Sequence, residues 1–182
     1  AYHQEIPVAI FTQTDLSAAK TVEEAAFLMG KDKLTVYYRA QMHGNEPAGG
    51  EGALAMIHYL QLGYADEILD KLNVIIVPRL SPDGAQLYQR LLPNEINPNR
   101  DQMRVESAEM AAFQRGYLLF DPQIVLDGHE RVWNNRFGDI QVSACFTPMN
   151  SDAFRTVALE LDEAAFAELA ANNLNGYYYS AN

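Results

Sequence analysis

Between residues 72 and 80 the chain reads LNVIIVPRL, a nearly continuous apolar run. A run of that length, rich in β-branched side chains and followed by turn residues, predicts a strand buried on both faces. Three other segments have β character: IPVAIFT (6–12), KLTVYYRAQ (33–41) and PQIVLDGHE (122–130). Helical spacing fills much of the rest. Helices are predicted for TVEEAAFLMG (21–30), for Pro47 to about Gly63 with Leu54, Ile57 and Leu60 as its apolar residues, for ESAEMAAFQRGYLLF (106–120) and for DEAAFAELAANNL (162–174). Ser81-Pro82-Asp83-Gly84 reads as a turn, residues 93–104 as polar chain with little periodicity, and GYYYSAN as a plain chain end. No repeat or low-complexity linker breaks the order.

Alternating strands and helices predict an α/β protein, three-layer α/β/α around a mixed, mostly parallel sheet, with residues 1–182 as a single domain. With 48% hydrophobic and 20% charged side chains over 182 residues, the chain can bury a core without disulfide staples. Its net charge of -11 offers no positive field for phosphates or anionic lipid, so nucleic acid is excluded as a partner class, and the acidity by itself reflects solubility. No apolar run approaches a membrane span and no signal-peptide pattern opens the chain, so no membrane partner is expected; the start at Ala1 leaves open the removal of an upstream segment. The single cysteine, Cys145 in VSACFTP, rules out an internal disulfide and a thiolate metal cluster, and its apolar neighbours make it a core side chain rather than a nucleophile. A metal in this chain must be held by histidine and carboxylate.

Open α/β sheets bind ligands beyond the carboxyl ends of their strands. His43 and Glu46 follow strand 33–41, His129 follows strand 122–127, and Asn99 and Arg100 lie in the connection after strand 72–80. An imidazole and a carboxylate three residues apart in a tight turn can face one centre, and both are good zinc donors. The pair alone is weak, since Glu46 before Pro47 also suits a helix N-terminus through the helix dipole. His129 as a third donor completes a His₂Glu set that leaves a coordination position open. Asp127 reads equally as an orienting partner of His129 or as turn chemistry, His58 as packing or surface, and His3 is uninformative. Arg100 with Asn99 offers a planar fork of donors suited to a carboxylate.

Taken in order, HGNEPAG, SPDG, NPNRD and LDGHE resemble the zinc metallocarboxypeptidases, the carboxypeptidase A-like peptidases. That resemblance implies one zinc ion per chain, held by His43, Glu46 and His129. It implies that Asn99 and Arg100 grip the substrate's terminal carboxylate, and that Arg90 polarises the scissile carbonyl. SPDG stands where the family has Asn-Pro-Asp-Gly, with Ser81 in place of Asn. The expected reaction is hydrolysis of a C-terminal peptide or amide bond, on a peptide or a small acyl-amino-acid substrate, and resemblance to secreted members implies a periplasmic or secreted location over a cytoplasmic one.

The family's general-base glutamate, on a late strand beyond the third ligand, has no match: Glu160, Glu163 and Glu168 fall in a helix-like stretch, and Glu130, next to His129 on an extended chain, is expected to point away from the site. The resemblance therefore implies a catalytic domain truncated at both ends. Three other readings keep the same residues: a deacylase resembling aspartoacylase or succinylglutamate desuccinylase, a cell-wall peptide amidase, and a noncatalytic domain that binds peptide carboxylates.

Overall fold

The run 72–77 is the centre of the molecule's main sheet. In the computed structural model, which describes residues 4–64, 66–130, 139–143 and 150–179, Leu72–Val77 forms strand β3 and every residue from Asn73 to Val77 is buried. Cys145 and His3 lie outside the described residues. The sheet order is β1-β3-β2-β4, where β1 is Ala9–Phe11, β2 Leu34–Ala40 and β4 Ile124–Gly128. β2 pairs parallel with both β3 and β4, and β1 runs antiparallel to β3, so the sheet is mixed and mostly parallel as the alternation predicts.

β3 is apolar on both sides because it is covered on both. Ile75 and Val77 face a cluster with Tyr37, Met110, Phe113 and Phe120, contributed partly by helices α1 (Val22–Met29) and α5 (Ala108–Phe120). Val74 and Ile76 face Ala53 and Leu60 of helix α2 (Pro47–Gln61), with Leu69 of the short α3 (Asp66–Leu69) against them. This is the expected three-layer arrangement, and each fully buried aliphatic side chain contributes about 1.5–3 kcal/mol. Capping sets the helix ends. The Thr21 hydroxyl accepts the Glu24 N–H to open α1, and Ser107 accepts the Met110 N–H to open α5. SPDG becomes more than a turn: Pro82–Gln86 is a helical turn, α4, with Pro at its start.

The chain divides into two compact units, Ala1–Val132 and Trp133–Asn182. The second contains a parallel pair, β5 (Ile140–Val142) and β6 (Gly176–Tyr178), and helix α6 (Asp152–Ala171). α6 begins ten residues before the predicted 162, capped by Ser151, whose hydroxyl accepts the Phe154 N–H. GYYYSAN contains β6 rather than merely ending the chain, and Tyr178 packs edge-to-face on Phe166 of α6 at 4.7 Å.

Candidate metal centre

Parallel pairing of β2 and β4 puts Ala40 opposite Gly128, so the two strands end side by side. Beyond β2 the backbone swings through Gln41, at φ 48°, and the Glu46 N–H returns to the His43 carbonyl at 3.1 Å. That tight turn brings His43 and Glu46 to one side, with Glu46 at the N-cap of α2. It is wedged against α4: a Cβ on Gly44 would lie 2.0 Å from the carbonyl carbon of Gly84 and 2.3 Å from the Ala85 nitrogen, a space only glycine fits. From the other strand, His129 follows β4 directly, and the two imidazole rings sit with centroids 5.0 Å apart.

One donor atom from each of His43, Glu46 and His129 lies within 4.8 Å of the others. Glu46 Oε1 is 2.7 Å from His43 Nδ1, and Glu46 Oε2 is 2.9 Å from His129 Nδ1. His43 is 1% exposed, and its Nδ1 makes no hydrogen bond despite that short approach. Its other nitrogen explains the orientation. Asn97 Oδ1 accepts the Asn99 backbone N–H at 3.0 Å, which identifies that atom as oxygen, so His43 Nε2, 3.2 Å away, is the donor. In the neutral ring the Nδ1 lone pair then faces Glu46. His129 is held alike, with Nε2 3.2 Å from Asp127 Oδ2 and Nδ1 toward Glu46.

The charges reinforce one another. Burial pushes the Glu46 carboxyl upward, but the His129 and His43 imidazoles beside it and the hydrogen bond from the Glu130 N–H outweigh it and hold it well below the usual carboxylate range. Burial also works against the His129 imidazolium, yet Asp127 and Glu46 overcome it and push the pKa up to about 9. Two carboxylates that stabilise a proton at this point stabilise a divalent cation for the same Coulombic reason. Two imidazole nitrogens and one carboxylate, with a buried and unbonded Nδ1 among them, fit a zinc ion with an open position.

Asp127 has a partner of its own that the sequence pattern concealed. Arg39, opposite Asp127 in the β2–β4 register, donates from Nη2 to Asp127 Oδ2 at 2.8 Å, and its Cζ stands 4.3 Å from the Phe113 ring centroid. An arginine in an otherwise apolar strand is the available signal, since a buried guanidinium requires an opposite charge on a neighbouring strand. Asn97 likewise was readable only as part of an Asn-Pro turn.

The remaining predicted residues gather nearby. Arg90 Nη1 donates to Glu46 Oε1 at 2.7 Å. Asn99 Nδ2 lies 3.5 Å from His129 Nε2, and Asn99 Oδ1 accepts from Gln102. Arg100 is exposed, donates to its neighbour's carbonyl, Asn99 O, at 2.9 Å, and forms no ion pair among the described residues. Glu130 sends its carboxylate to the Ala48 N–H in the first turn of α2.

A model of the zinc carboxypeptidase family matches residues 6–142. The chain belongs to that family. It is 33% identical over 125 residues to carboxypeptidase 2 of Trichophyton tonsurans, covering 68% of this chain and 23% of that protein. Carboxypeptidase D of Mus musculus is 36% identical over 59 residues, 30% of this chain and 4% of that one. Among solved structures, the metallo-carboxypeptidase of Burkholderia cenocepacia superposes with a TM-score of 0.64 at 19% identity, over 82% of this chain and 42% of that chain. The Pseudomonas aeruginosa metallo-carboxypeptidase, solved in complex with (2-guanidinoethylmercapto)succinic acid, gives 0.63 at 19% identity over 84% and 40%. Both share the fold. This chain spans about a quarter of the length of its fungal relatives. The family is a zinc family, and the described residues include a His-Glu-His group able to hold the ion. No described helix is long and apolar enough to cross a membrane.

Proposed function

We propose that the chain carries the zinc site and the carboxylate-recognition turn of an exported metallocarboxypeptidase that hydrolyses a C-terminal peptide or amide bond. The observation that carries the reading is the convergence of His43, Glu46 and His129 from two adjacent strand ends, with the Nδ1 atom of each ring directed at Glu46. Through His43 Nδ1, Glu46 and His129 Nδ1 the chain would hold one zinc ion, which when bound supplies Lewis-acid polarisation of a carbonyl and a water of lowered pKa. Asn97 and Asp127 orient the two rings by accepting from their Nε2 atoms. Arg90, already on Glu46, has the rest of its donor fork available for a carbonyl oxygen that gains negative charge. Arg100, exposed and without an ion-pair partner among the described residues, takes the terminal carboxylate with Asn99.

A specific observation supports a binding-only alternative. The carboxylates nearest the cluster in sequence are both engaged, Asp127 by Arg39 and His129, and Glu130 by Ala48, so neither is free to take a proton from water. Elemental analysis of the purified chain and of His129→Ala, followed by hydrolysis of peptides with free or amidated C-termini, tests the proposal. Expected are about one zinc per chain, lost in the variant, and cleavage only of free C-termini. Failure to take up zinc would overturn it, and zinc uptake with peptide binding but no turnover would select the alternative.

A further inference from the structure

We propose that Glu130 is a positioning residue which clamps the end of β4 to the first turn of α2 and so holds His129 at the metal distance; this rests on the zinc reading above. The clamp has two points. The Glu130 backbone N–H donates to Glu46 Oε2 at 3.1 Å, and the Glu130 carboxylate Oε2 accepts the Ala48 N–H at 2.9 Å. Glu46 is the N-cap of α2 yet forms no side-chain cap, because its oxygens are turned to the histidines. The first-turn N–H groups of α2 therefore need another acceptor, and Glu130, just beyond the end of β4, supplies one to Ala48, where a negative charge also suits the helix N-terminus.

The consequence for His129 is geometric. His129 is the most exposed of the three donors and follows the last residue of β4, so sheet pairing ends immediately before it. Asp127 restrains its ring from one side. On the other side the chain is tied through Glu130 to the same helix turn that begins with Glu46. Two ligands from distant parts of the sequence are thus fixed to each other by one residue, through its bonds to Glu46 and Ala48. The same bond removes Glu130 as a candidate for the general base, although it is adjacent to a ligand.

The test compares Glu130→Ala with Glu130→Gln, whose amide oxygen keeps an acceptor for Ala48 without the carboxylate's basicity. Amide exchange is read first, with no metal added: the Ala48 N–H is expected to be protected in the wild type and in Glu130→Gln, and to lose protection in Glu130→Ala while the rest of α2 is unchanged. Zinc affinity by chelator competition should fall about 10–100-fold in Glu130→Ala and stay within about threefold in Glu130→Gln. The visible spectrum of the cobalt-substituted chain should change only in Glu130→Ala. An unprotected Ala48 amide in the wild type would overturn the clamp, as would equal zinc affinity in Glu130→Ala or an affinity in Glu130→Gln as weak as in Glu130→Ala. A protected amide in a chain that takes up no zinc would leave the hydrogen bond standing but refute both the zinc reading and the positioning role.

Discussion

The Asn97 side chain oxygen does two things at once: it accepts from His43 Nε2 and from the Asn99 backbone, the second of which caps the 3-10 turn Pro98–Arg100. His43 tautomer and the Asn99–Arg100 turn are therefore set by one atom. Replacing it, as in Asn97→Ala, is expected to lower zinc affinity by about 10–100-fold through the freed ring, and stability by about 1 kcal/mol through the lost cap. Asn97→Asp keeps the acceptor and should keep the affinity. A chelator titration separates the variants; unchanged affinity in Asn97→Ala would mean that packing alone orients His43. The histidines and Glu46 were legible because ligand chemistry restricts residue type. Asn97 and Arg39 were not, because their roles depend on which strand ends the fold makes adjacent.

Asp101, which follows the Pro98–Arg100 turn, ties that turn to the start of helix α5. Its carboxylate accepts from Glu106 N at 2.9 Å, Ser107 N at 2.8 Å and Ser107 Oγ at 2.7 Å. Burial pushes this carboxyl up, but the hydrogen bonds from Glu106 and Ser107 prevail and hold it below its ordinary 3.8. A folded-state pKa below the unfolded one means stabilisation that is complete above about pH 4 and is lost as the pH falls through the depressed value. At pH 7, Asp101→Ala should cost about 1–3 kcal/mol in urea unfolding. The gap between variant and wild type should narrow below about pH 4; a gap that is constant with pH would show that ionisation of Asp101 contributes nothing. Elements as a whole were legible where the apolar period was strong, as in β3 and α5. The start of α6 was not, since Phe154, Val157, Leu159 and Leu161 are all substantially exposed and mark no buried stripe. Nor was β6, because three residues are too few to display a period.

At the scale of the whole chain, every donor of the candidate metal centre among the described residues belongs to Ala1–Val132, and His129, far from His43 and Glu46 in sequence, meets them where two neighbouring strands end. The three-layer order was legible in the alternation of strand and helix, whereas this closure between His43 and His129 depends on the parallel register of β2 with β4, which no local pattern encodes. Zinc that binds the folded cluster and not the unfolded chain stabilises the fold by mass action, by about 2.7 kcal/mol at a hundredfold excess over Kd. For a unit of this size that corresponds to a rise in Tm of roughly 10 °C. The effect should be confined. Amide exchange is expected to slow in β2, the first turn of α2 and β4 on zinc addition, and to stay unchanged in α6 and the β5–β6 pair, which contribute no donor. Zinc-dependent protection spread equally over both units, or found only in the second, would remove the site from the strand ends and place the ion elsewhere in the molecule.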